Sequence, residues 1–118
     1  MRFKEEIVTN LAYKRISQEE AKEMIDSLKD CLILDVRTGR EYASGHIPNA
    51  VNIPNEDIGY FDPLNLKDKN KPILIYCRSG HRSLQSAAKL SLMGYTNVYE
   101  FGGIITWKYD ITEPEVIK

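Results

Sequence analysis

The chain has 118 residues, with 16 Lys and Arg against 17 Asp and Glu, for a formal net charge of −1. Such a length suits one domain that buries about two-thirds of its unfolded surface without disulfide or metal staples. The charge balance excludes the basic excess of a nucleic-acid binder or a polybasic membrane-surface protein, and 42% apolar with 28% charged residues excludes a disordered chain.

No apolar run approaches the ~20 residues of a membrane helix; the longest, Cys31–Leu34 and Ile73–Cys77, are of strand length. The charged start Met1-Arg-Phe-Lys-Glu-Glu does not read as a secretory signal. Two cysteines are too few for a disulfide framework, so the expected setting is the cytoplasm.

In chain order, Ser17 with Glu20 three residues on reads as a capping box. Ala21, Met24, Ile25 and Leu28 follow at helical spacing as one apolar stripe. Cys31–Leu34 reads as a buried strand ending at Asp35, Thr38 to Ala43 as a short helix stopped by Gly45, and Ala50–Ile53 as a second strand between Pro48 and Pro54. Asn55 to Lys71, with Pro63 and a Lys/Asp/Asn cluster, reads as an irregular connection. Ile73-Leu-Ile-Tyr-Cys77 is unalternating and apolar, the pattern of a central parallel strand buried on both faces. Arg82 to Met93 predicts a helix packing through Leu84, Ala87, Ala88 and Leu92, with Gly94 just past its end. Asn97–Phe101 is the last strand, followed by Gly102-Gly103 and a turn carrying Trp107. Strand and helix alternate, so the expected fold class is α/β: an open, twisted, mostly parallel sheet with helices on both faces.

The chemistry points to Tyr76-Cys-Arg-Ser-Gly-His-Arg-Ser83. Cys77 ends the most buried strand just before a helix, the edge of an α/β sheet where ligands bind. A tight loop containing Gly80 turns backbone N–H groups inward as an anion nest. The helix N-terminus adds partial positive charge, Arg78 and Arg82 add full charges, and His81 a partial one. All favour thiolate over thiol, so Cys77 is expected to titrate below an ordinary cysteine.

These residues resemble the single-domain rhodaneses, a sulfurtransferase family. Cys-Arg-Ser-Gly-His-Arg-Ser at 77–83 is similar to the family's active loop. Asp35-Val-Arg, Glu41-Tyr42 and Gly45-His-Ile-Pro-Asn-Ala50 resemble its upstream motif, and Phe101-Gly-Gly with Trp107 its C-terminal one. The likeness implies a rhodanese-like domain over 16–113, with 1–15 as an N-terminal extension packed on or flanking it.

By this resemblance Cys77 is the nucleophile and Arg78, Ser79, Gly80, His81 and Arg82 form the substrate loop, with Asp35 and Ser83 in support. The implied reaction moves a sulfane sulfur from an anionic donor, thiosulfate or a persulfide, to a thiol or cyanide through a persulfide on Cys77. It needs no metal or organic cofactor. Implied partners are the small anionic donor and a thiol or protein acceptor, with no nucleic acid or membrane, and the chain acts as a monomer or weak homodimer. A sulfur-carrier or protein-interaction module is the alternative. Cysteine phosphatase or arsenate reductase chemistry ranks lower, because Cys77 to Arg82 is Cys-x4-Arg, one residue shorter than the phosphatase loop.

Two features depart from thiosulfate-preferring relatives. Glu41 precedes Tyr42 where the tandem-domain enzymes carry a substrate-contacting arginine, with Arg40 one place off, and the loop lacks a lysine. Among the remaining residues, Cys31 is expected in the core, His46 in a structural hydrogen bond and Trp107 closing the core. Asp35 either orients an arginine near the site or forms a buried ion pair. A zinc site from Cys31, His46, Cys77 and His81 lacks the paired ligand spacing such sites use.

Overall fold

The computed structural model describes residues 13–59 and 61–113. Its elements in chain order are β1 (Tyr13–Arg15), α1 (Gln18–Ser27), β2 (Leu32–Asp35), α2 (Gly39–Ala43), β3 (Val51–Asn52), β4 (Ile73–Cys77), α3 (His81–Leu92) and β5 (Val98–Gly103). Single 3-10 turns occupy Asn55–Asp57 and Ile104–Thr106. The strands form one sheet in the order β1-β5-β4-β2-β3, every neighbouring pair parallel. Parallel neighbours need crossovers: α2 lies between β2 and β3 and α3 between β4 and β5, while α1 links β1 to β2 across the sheet and packs on the face opposite α3.

Both faces of β4 are buried, and its alternation divides the core. Ile73, Ile75 and Cys77 join Leu34, Val36, Ala87, Leu90, Tyr95 and Val98 on the α3 side. Leu74 and Tyr76 join Ala21, Ile33, Ile47, Ala50 and Phe101 on the α1 side, where half-buried Trp107 packs at the margin. The open α/β sheet with helices on both faces is as the sequence implies.

Helix α1 begins where the capping box requires: the Ser17 N–H donates to Glu20 Oε1 (2.9 Å) and the Glu20 N–H to Ser17 Oγ (3.0 Å). A second capping box starts α2, with Thr38 as cap and Glu41 as its third residue. Among its described residues the 55–71 connection is irregular beyond its opening 3-10 turn. Asp62 organises it by accepting the N–H groups of Leu64 and Asn65, Lys69 Nζ and the Tyr95 hydroxyl.

Three details differ from the sequence reading. Residues 13–15 are an edge strand of the sheet, where the reading has only an extension; a three-residue segment with two charged members carries no periodic signal. The rest of that extension, 1–12, lies outside the described residues. Helix α3 packs through Ser83, Ser86, Ala87 and Leu90, while Leu92, assigned to the packing face, is 75% exposed. The phase is displaced because two serines are buried for their hydrogen bonds: Ser83 toward the Cys77 loop, and Ser86 to Asn55 Oδ1 (2.6 Å). Cys31 lies before β2 rather than in it and is only half-buried, its thiol raised chiefly by burial.

Candidate active site

The C-terminal ends of β4 and β5 and the start of α3 meet at Cys77. Gly80 caps α3 with φ of +111°, a left-handed conformation that glycine adopts without strain, and it turns its N–H back onto Cys77 Sγ at 3.0 Å. Ser83 Oγ lies 3.4 Å from the same sulfur. Cys77 is 1% exposed. Burial pushes its thiol up, but the Ser83 hydroxyl and the N–H groups of Ser83, Gly80 and Ser79 outweigh it, so the thiol lies below its ordinary value. The direct partners of the sulfur are thus amides and a hydroxyl.

The loop leans on β5. Ile75 pairs with Glu100 and Cys77 with Gly103, so β5 holds one extra residue there, a bulge beside the site. A side chain at Gly103 would meet the Arg78 carbonyl oxygen at 1.9 Å, so only glycine lets the two backbones approach this closely. The Ile105 N–H also donates to the Arg78 carbonyl (3.2 Å).

The arginines divide as rim and tether. Arg78 and Ser79 are exposed, as is His81, whose Nδ1 lies 3.4 Å from Ser79 Oγ. Arg82 is half-buried and grips Glu41 on α2: Nη1 to Oε1 at 2.7 Å and Nη2 to Oε2 at 3.0 Å. This contact ties the start of α3, and with it the loop, to a carboxylate of α2. Arg82, helped by Thr38, holds the Glu41 carboxyl at about 2 against burial. Glu41 in turn raises the Arg82 guanidinium, and the charge of Cys77 adds to that shift.

Asp35 lies in a buried ion pair with Arg37. Both its oxygens bind Arg37, with Nη2 to Oδ2 at 2.7 Å, and the Tyr76 hydroxyl donates to Oδ2 at 2.6 Å. His46 is structural, stacked on Tyr42 with ring centroids 3.7 Å apart and Nδ1 3.0 Å from the Tyr42 carbonyl oxygen. Among the described residues no three His, Cys, Asp or Glu side chains gather as metal ligands.

One group next to the site has no signal in the sequence. Glu100, 1% exposed, accepts the Ser83 hydroxyl at Oε2 (2.6 Å), the Gly102 N–H at the same oxygen (2.9 Å), and Arg15 Nε at Oε1 (3.2 Å). An isolated acid in a strand pattern reads as an exposed position; only its pairing opposite α3 reveals it.

Residues 17–110 match the family described as Rhodanese-like domain. The chain belongs to this family. The rhodanese-like domain is 38% identical over 95 residues to a sulfurtransferase of Allochromatium vinosum, covering 78% of this chain and 85% of that protein. It is 33% identical over 104 residues to the thiosulfate sulfurtransferase GlpE of Pseudoalteromonas translucida, covering 87% and 96%. A crystal structure of a rhodanese-like domain protein from Staphylococcus aureus superposes with a TM-score of 0.71 at 34% identity, covering 86% of this chain and 99% of that one.

Proposed function

We propose that this rhodanese-like domain is a sulfurtransferase that carries a sulfane sulfur as a persulfide on Cys77. The observation that carries the reading is the Gly80 N–H turned onto the Cys77 sulfur at 3.0 Å inside a loop that favours its thiolate. The names of the relatives from Allochromatium vinosum and Pseudoalteromonas translucida support the same reaction class.

In the proposed cycle the Cys77 thiolate attacks the outer sulfur of thiosulfate or of a persulfide donor. The donor's S–S bond breaks, sulfite or the donor thiolate leaves with the electron pair, and a new S–S bond makes the Cys77 persulfide. The thiolate of an acceptor, or cyanide, then attacks the terminal sulfur, and Cys77 leaves as the thiolate it was. Loop N–H groups hold the negative charge at both ends of the cycle, so this is covalent catalysis supported by preorganised dipoles. The bidentate pairing of Arg82 with Glu41 leaves exposed Arg78 as the charge available to an incoming anion. That arrangement favours a donor presenting a terminal sulfur over a tetrahedral oxyanion wrapped by two arginines.

The test sets sulfur transfer against its competitors in one preparation. Thiosulfate-to-cyanide and persulfide-to-thiol transfer should both be measurable, under conditions where aryl phosphate hydrolysis and arsenate reduction are undetectable. Efficient phosphate hydrolysis without sulfur transfer would overturn the reading. Stoichiometric loading of Cys77 without turnover would favour a sulfur-carrier module instead.

A further inference from the structure

Ser83 has one hydroxyl proton and four neighbours that can accept it: Glu100 Oε2 at 2.6 Å, the Gly80 carbonyl at 3.1 Å, the Gly102 carbonyl at 3.4 Å and Cys77 Sγ at 3.4 Å. The shortest distance assigns that proton to Glu100. With Cys77 as a thiol, its S–H then donates to Ser83 Oγ, and two hydrogen bonds run in one direction from Cys77 through Ser83 to Glu100. We infer that Glu100 is the proton acceptor for Cys77, reached through Ser83, and that Arg15 sets how readily it takes the proton.

The step balances without any outside reactant. The S–H bond of Cys77 breaks as its proton joins Ser83 Oγ, and the proton already on Oγ joins Glu100 Oε2. Glu100, now a carboxylic acid, donates to Ser83, and Ser83 donates to the thiolate, which also keeps the Gly80 N–H. The three relay atoms, Cys77 Sγ, Ser83 Oγ and Glu100 Oε2, are paired with one another in both states, as buried polar groups require. The buried pocket holds one negative charge before and after. Loss of the Cys77 proton to solvent would instead place a thiolate and a carboxylate together in a buried space, an arrangement that like-charge repulsion disfavours.

Among the described residues the charged groups around the relay come from β1, α3, α2, β2 and the Cys77 loop. From β1, Arg15 binds Glu100 Oε1, although its own side chain is 66% exposed; it lies outside the matched residues 17–110. From α3 come Arg82, engaged with Glu41 of α2, and exposed His81; the loop adds exposed Arg78. From β2, Asp35 is engaged with Arg37 and with Tyr76 of β4. From α1, the uncharged Gln18 donates to the Gly103 carbonyl. Arg15 Nε donates to Glu100 Oε1 and the Gly102 N–H to Oε2; a proton arriving on Glu100 works against the attraction of the Arg15 charge, so removing that charge eases the transfer.

This rests on the reading of Cys77 as a reactive thiol, and its test does not use sulfur transfer. The alkylation rate of Cys77 by iodoacetamide is measured from pH 4 to 10 in a Cys31→Ser background, so that Cys77 is the only thiol. The reference protein should show a reactive plateau below the main inflection, the signature of a coupled pair. Glu100→Gln and Ser83→Ala should each lose that plateau and leave one inflection, which in Glu100→Gln lies at lower pH because no carboxylate charge then stands beside the thiolate. Arg15→Gln should raise the plateau several-fold. Because Arg15 is exposed, this variant decides the matter even if a substitution at Glu100 fails to fold. A single inflection in the reference protein, or a plateau unmoved by Arg15→Gln, overturns the inference. A protein that keeps the plateau but transfers no sulfur retains the relay and loses only the proposed activity.

Discussion

Arg82 holds Glu41 with both terminal nitrogens, at 2.7 and 3.0 Å, and so ties the start of α3 to α2 across the mouth of the Cys77 loop. Glu41 is prepared for this by the Thr38 capping box, whose N–H donates to the oxygen that Arg82 Nη1 also uses. The Glu41 carboxyl is lowered from 4.5 to about 2. A lowered folded-state value means the pair stabilises the fold fully above the unfolded value and ceases to do so as pH falls through the folded one. The melting temperature should therefore drop between pH 4.5 and about 2, and Glu41→Gln should lose less across that window. The pair is part-exposed, so its worth near neutrality is about 1 kcal/mol. Identical acid profiles for the two proteins would contradict this. Arg82→Ala should also lower turnover about tenfold, equivalent to ~1.4 kcal/mol in the barrier, because the loop loses its tether.

Arg78 is expected to behave differently. Its side chain is exposed at the rim, and such a charge acts through long-range attraction that salt screens. Arg78→Ala should raise the KM for thiosulfate several-fold at low salt, blunt the salt dependence and leave kcat nearly unchanged. Steady-state kinetics at two ionic strengths checks this; a fall in kcat with the salt response intact would reverse the roles given to the two arginines.

Gly103 holds the loop by having no side chain. Gly103→Ala would place a methyl 1.9 Å from the Arg78 carbonyl oxygen, with the Ser79 Cα at 2.7 Å, so the loop must shift. Overpacking of this kind costs about 1–3 kcal/mol. The larger effect should be on activity, because the Gly80 N–H moves away from the sulfur. Unaltered kcat in a folded Gly103→Ala protein would show that loop position is not limiting.

Asp35 is expected to carry stability rather than chemistry. Arg37 is 4% exposed and Asp35 is fully buried, so Asp35→Asn leaves a buried guanidinium without its counter-charge. Breaking such a pair costs about 3–5 kcal/mol. Denaturant titration should show the loss, while the folded protein should alkylate at Cys77 at the unaltered rate. A fall in Cys77 reactivity without a fall in stability would return Asp35 to the active site.

Much of this was legible where information is local. The Ser17–Glu20 cap, the unalternating β4 and the Cys77 loop with Gly80 are all set by residues within a few positions of one another, and the structure has them. The unread features are those made by long-range pairing. Glu100 meets Ser83 from a strand 17 residues away, and Arg15 reaches Glu100 across 85. The packing face of α3 was misphased for a related reason: Ser83 and Ser86 look like surface residues by polarity, yet each is buried against a partner that only the fold supplies. Asp35 was ambiguous because its partner Arg37 is two residues away, a spacing that on an extended strand would put both side chains on one face without requiring contact.

The central claim is that Cys77 alone bears the transferred sulfur, and intact-protein mass after thiosulfate treatment tests it most directly. The protein should gain the mass of one sulfur atom, which cyanide removes. Cys31→Ser should gain it equally, and Cys77→Ser should gain nothing. A sulfur adduct that persists in Cys77→Ser would contradict the account.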